Sequence, residues 1–140
     1  MKIKIKKLRE EAKIPGYAHP GDAGLDLYSC IDAEIAPGER VLIPTGLSIE
    51  LPEGFVSLIW DKSGIALKGG VTCLGGVIEH TYRGEYGVLL LNTSREIYKV
   101  KKGEKVAQLL IQPIATAEIE ISENLSDTKR GAGGFGSTGI

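Results

Sequence analysis

The sequence predicts an all-β domain, a sandwich or barrel of many short strands, with one brief helix and a glycine-rich C-terminal arm. Three observations predict it. The hydrophobic period is mostly two, turn signals cut the chain into short runs, and the composition shifts near Ser122.

The elements follow in order. Lys2–Lys6 alternates strictly, with lysines on one face, the way an edge strand is protected. Apolar runs come next at Arg40–Pro44, Leu47–Leu51, Phe55–Trp60, Val71–Leu74, Tyr86–Leu91, Lys105–Ile111 and Ala117–Ile121. Between them lie Pro20-Gly21-Asp22, Pro37-Gly38, Pro52-Glu53-Gly54, Gly69-Gly70, Gly75-Gly76 and Lys102-Gly103, which read as turns. Ser63–Lys68 alone reads as a short helix. The division is therefore a β-rich core over residues 1–122 and a flexible arm over residues 123–140.

Composition narrows the function. The chain has 140 residues and a formal net charge of −1, so it lacks the basic excess that long nucleic acid requires. Cys30 and Cys73 make neither a disulfide framework nor a metal-ligand cluster, which suits a reducing compartment. The start has no apolar signal core, and no apolar run approaches a membrane span. The expectation is a soluble cytoplasmic protein with no membrane or polymeric nucleic-acid partner.

Polar clusters fall where strands turn. Ala23-Gly24-Leu25-Asp26-Leu27-Tyr28 puts a carboxylate just inside a strand. Asp61-Lys62-Ser63-Gly64 places a cation and a hydroxyl at the start of the helix, where free N–H groups favour anions. Gly75–Gly84 reads as a hairpin in which Glu79 and Tyr82 are close in sequence. Lys105-Val106-Ala107-Gln108 adds a cation and an amide. The end, Arg130–Ile140, sets Arg130 and Phe135 among five glycines. Glycine this dense loses much backbone entropy on ordering, so the tail orders only with outside help, for which a ligand is the candidate. Phe135 offers a flat face for a base and Arg130 a planar fork for phosphate. Taken singly, each strand-end cluster reads first as an ordinary turn or solvated strand end, and the tail reads equally as a disordered chain end with a stray Phe.

Taken together and in this order, five segments resemble the five motifs of the trimeric dUTPases. They are Ala23–Tyr28, Lys62–Ala66, Gly76–Gly84, Gly103–Gln108 and Arg130–Gly139. The tail also fits G-x-G-x-x-G at Gly131, Gly133 and Gly136, but no strand-to-helix context follows, so a dinucleotide fold is not supported. The resemblance implies a distorted jelly-roll or β-clip-like barrel. It also implies a homotrimer with active sites between subunits, and Mg²⁺-dependent hydrolysis of dUTP to dUMP and pyrophosphate at the α-phosphorus. Such an activity limits uracil in DNA and supplies dUMP.

By the same resemblance, Glu79 is the catalytic base, and Asp26 helps place the metal ion through water and supports the deoxyribose pocket. Lys62, Ser63, Gly64 and Gln108 bind phosphate. Backbone between Cys73 and Ile78, including Gly76 and Val77, reads uracil, and Tyr82 packs on the sugar. Arg130 clamps the distal phosphate, while Gly134, Phe135 and Gly136 close over the base. Two residues depart from the family pattern. Glu79 stands where aspartate is usual and reaches about one methylene further, and a misplacement of about 1 Å can cost on the order of 100-fold. Lys62 stands for arginine, keeping charge and losing the bidentate fork. Two alternatives share the fold. A dCTP deaminase would carry a glutamate where this chain has Leu89, which argues against deamination. A non-catalytic nucleotide binder has less need of a closing lid.

Overall fold

The structure is a computed structural model that describes residues 1–137 and 139; Thr138 and Ile140, at the end of the expected arm, lie outside the described residues. Among the described residues are eleven strands and one helix: β1 Lys4–Lys7, β2 Leu25–Tyr28, β3 Ala33–Ile35, β4 Arg40–Pro44, β5 Leu47–Glu50, β6 Phe55–Trp60, α1 Ser63–Gly69, β7 Val71–Leu74, β8 Val77–Glu79, β9 Gly87–Asn92, β10 Tyr98–Val100 and β11 Lys105–Pro113. The strands form four small sheets, ordered β1-β5, β10-β3, β2-β11-β6-β8 and β4-β9-β7. They enclose a main core and a small satellite cluster of Ala12, Cys30 and Leu47 without closing into a barrel, a jelly-roll-like architecture.

Alternation explains the packing. In β9, Val88, Leu90 and Asn92 are buried while Gly87, Leu89 and Leu91 are half-buried, because successive residues face opposite sides of the sheet. Leu27, Ile35, Ile43, Ile49, Leu109 and Tyr86 complete the main core. Asn92 is the buried polar residue of β9. Its side-chain N–H groups donate to the Ile35 and Glu96 carbonyls, and its oxygen accepts from Ser94. In β1, Lys4 pairs with Glu50 at 2.7 Å along a ladder with β5, and the lysines stay in water as the sequence requires.

Two expectations change. Ala117–Ile121 forms no strand, and Ile119 and Ile121 are almost fully exposed. An apolar run becomes a strand only where a neighbour supplies ladder partners, and this segment leaves the sheet after Pro113. The stretch from Gly75 is also not a hairpin of mutually paired strands. β7 pairs with β9 and β8 with β6, so the chain changes sheets at Gly75-Gly76. Gly75 turns in the left-handed region (φ 61°), and a Cβ on Gly76 would lie 2.3 Å from the Ile59 carbonyl.

Candidate active site

One group of polar side chains gathers at the end of the four-stranded sheet. Asp26 is buried on β2 opposite Gln108 of β11, and its two carboxylate oxygens meet Lys62 Nζ at 2.5 Å and Lys105 Nζ at 2.6 Å. A register shift between Lys105 and Ala107 marks a bulge, a device that re-aims a side chain at a strand end. Burial alone would raise the Asp26 pKa, but hydrogen bonds from Lys105 and Lys62, with their charges, hold it below the usual carboxylate range. Gln108 Nε2 donates to the Asp61 carbonyl at 2.8 Å. Ser63 and Gly64, the first residues of α1, are exposed beside Lys62.

Asp26 fits a metal ion only at second hand. Both its oxygens already accept from lysine, and no group of three or more metal-ligating side chains occurs among the described residues. Each oxygen keeps a spare lone pair for a metal-bound water. That suits Mg²⁺, which holds several waters and takes its other ligands from phosphates.

A second group sits at the other end of β6. Glu79, Tyr82, Val77 and Ile78 line a cavity of about 590 Å³ with Leu42 and Glu85. The Tyr82 hydroxyl donates to the Glu85 carbonyl at 3.2 Å, and its ring lies 6.1 Å from that of buried Tyr86. A Cβ on Gly84 would lie 2.2 Å from the Tyr82 hydroxyl, so the tyrosine folds back only over a glycine. Glu79 is exposed and ready to meet solvent. Tyr86 and Ser57 share a 2.9 Å hydrogen bond, and the Ser57 hydroxyl donates to the Ile78 carbonyl just before Glu79.

The two groups do not merge. Glu79 is opposite Val56 and Gln108 opposite Trp60, which separates them by about 13 Å along β6 at ~3.3 Å per residue. They also flank β6 on opposite edges. Between them, Cys73, Gly76 and Val77 line a smaller cavity of about 250 Å³ with Trp60, Asp61 and Thr72. The Cys73 N–H donates to Asp61, and the Gly76 carbonyl accepts from the Ile59 N–H.

The arm stands apart from both groups. Arg130 Nε donates to the Gly133 carbonyl at 2.9 Å, and Gly133 and Ser137 close local turns. Phe135 is fully exposed, in the left-handed region at φ 48°. Gly134 and Gly136 flank it without regular structure. The sequence marks Lys105 as a cation within the Gly103–Gln108 motif and Asp61 as the neighbour of another, without giving either a partner. Lys105, two residues after Gly103, and the carboxylate before Lys62 are the available signals, but their partners depend on register.

A family model described as dUTPase matches residues 10–139. The chain is 53% identical over 141 residues to the deoxyuridine 5'-triphosphate nucleotidohydrolase of Nautilia profundicola, covering 99% of each protein. It is 52% identical over 139 residues to the enzyme of that name from Clostridium tetani, covering 98% of this chain and 96% of the other. Among solved structures it resembles the dUTPase of Staphylococcus bacteriophage 80alpha with dUPNHPP, at TM-score 0.92 and 30% identity, covering 99% of each chain. It also resembles a mutant dUTPase from phage phi11 of S. aureus, at TM-score 0.85 and 26% identity, covering 91% of this chain and 100% of the other. That structure describes the coordination of a structural Mg(II) ion.

Proposed function

The chain belongs to the dUTPase family, and from that premise we propose that it hydrolyses dUTP to dUMP and pyrophosphate through water attack on the α-phosphorus. The observation that carries this reading is the shared cavity of Glu79 and Tyr82, a carboxylate and a sugar-sized aromatic wall on one short segment. Glu79 takes a proton from the attacking water as its oxygen bonds to the α-phosphorus. The bond from that phosphorus to the bridging oxygen breaks, and pyrophosphate leaves. Mg²⁺ would supply neutralisation of the charge on the triphosphate. Asp26 would hold that ion through a metal-bound water.

The remaining residues bind and orient. Lys62, Ser63, Gly64 and Gln108 hold phosphate oxygens. Backbone from Cys73 to Ile78, through Gly76 and Val77, pairs with the uracil edge, and Tyr82 packs on the deoxyribose. Arg130 clamps the distal phosphate while Gly134, Phe135 and Gly136 close over the base. Because Glu79 and the Asp26 group lie at opposite ends of β6, each chain offers half-sites, which supports a homotrimer with sites between subunits. A core of residues 1–122, an arm of 123–140 and a cytoplasmic setting belong to the same reading.

The test is pyrophosphate release from dUTP, dCTP, dTTP and UTP, with and without Mg²⁺, by the native chain and by Glu79→Gln. dUTP is cleaved selectively, and Glu79→Gln lowers turnover by about 10²–10⁴-fold with little change in dUTP binding. Normal turnover by that variant, or equal cleavage of all four nucleotides, defeats the proposal.

A further inference from the structure

Asp61 sits where two sheets meet. Its Oδ1 accepts the Cys73 N–H at 2.5 Å and its Oδ2 the Thr72 hydroxyl at 2.7 Å. Asp61 follows the last residue of β6, whereas Thr72 and Cys73 belong to β7, which ladders with β9. The chain leaves β7 at Gly75-Gly76 and rejoins the β6 sheet through β8. The lip of the small cavity lined by Cys73, Gly76 and Val77 is thus glycine-rich and shared between sheets. One side is tied by the Ile59 N–H to the Gly76 carbonyl, and the other by the Asp61 carboxylate.

We infer that Asp61 is a positioning residue for base selection: it fixes the backbone lip at Cys73 so that uracil is accepted and cytosine refused. The inference rests on the reading of this chain as a dUTP hydrolase. Selection by backbone groups requires them to be held to about 0.5 Å, and a two-glycine turn does not supply that stiffness. A carboxylate accepting two donors does, because charge-assisted hydrogen bonds are about twice as strong as neutral ones. Burial pushes the Asp61 pKa up, but the Cys73 N–H and the Thr72 hydroxyl outweigh it and keep the carboxyl below the usual range. Burial, with the adjacent Asp61, pushes the Cys73 thiol up to about 12, so it stays neutral beside the carboxylate.

The experiment measures kcat and KM for dUTP and dCTP in the native chain and in Asp61→Asn, together with hydrogen exchange at the Cys73 amide. Asn keeps the shape but loses an acceptor. The expected result is faster Cys73 exchange and a dUTP-to-dCTP preference reduced about tenfold, near the worth of one charge-assisted hydrogen bond. A merely structural role lowers both substrates alike and leaves the ratio unchanged, and that outcome overturns the inference. Thr72→Val removes one donor and keeps the carboxylate. It should reduce the preference about threefold, and an unchanged ratio there overturns the inference even if Asp61→Asn does not fold. A native chain that cleaves dUTP and dCTP alike defeats the dUTP reading itself, which separates the two failures.

Discussion

The Asp26 group and the C-terminal arm carry the same kind of chemistry, cations and donors for phosphate, in opposite physical states. Asp26 is buried, fixed by two lysines and carried on paired strands. Arg130 and Phe135 hang in water, and Arg130 bonds to the carbonyl of nearby Gly133. The first region meets the cost of organising its charges during folding. On the proposed function the second postpones that cost until a ligand arrives, so the arm should contribute little to stability and much to turnover.

The largest test of that contrast is truncation before Arg130. The exposed arm buries little surface, so the melting temperature should hold while turnover falls about 100-fold, the scale of a lost positioning element. A sharp fall in melting temperature would show that the arm belongs to the folded core. Mixing truncated chains with Glu79→Gln chains should restore part of the activity if sites combine different chains, and no recovery would count against shared sites.

A smaller effect is expected from Phe135→Ala. Stacking on a base is worth about 1–3 kcal/mol, and a fully exposed ring must first be ordered, so calorimetry should find dUTP-analogue binding weaker by about 1–2 kcal/mol. Unfolding should be unchanged. Unaltered binding would remove the ring from the base.

The smallest effect is a pH dependence of stability from Asp26. Its folded pKa lies below that of the unfolded chain, so its contribution is fully present above the ordinary aspartate value of about 3.9. That contribution is lost as pH falls below this value toward the lowered folded one. Both lysines are partly exposed and screened, so no more than about 1 kcal/mol is at stake. Melting curves across this range, for the native chain and Asp26→Asn, should converge at the acid end. Parallel curves would show that the lysine clamp contributes nothing.

Much of the fold is legible in local pattern. The alternation of β9 gives its two faces, the lysines of β1 mark an edge, and Ser63–Lys68 marks the helix that the structure places at Ser63–Gly69. Ala117–Ile121 shows the limit, since its apolar run has no ladder to join. The candidate site is legible as residue types in order, because carboxylate, hydroxyl, amide and aromatic chemistry belong to single side chains.

What the sequence determined by itself is therefore periodicity and chemical capacity: a β-rich chain, a carboxylate three residues before a tyrosine, and a glycine-rich arm carrying one arginine and one phenylalanine. What only the tertiary structure decided is which groups meet. The bulge that turns Lys105 onto Asp26, the change of sheet at Gly75-Gly76 and the closure of Asp61 on Cys73 all depend on register between strands distant in sequence. A ladder shifted by one residue would send each side chain to the other face, and local sequence carries no direct record of that register.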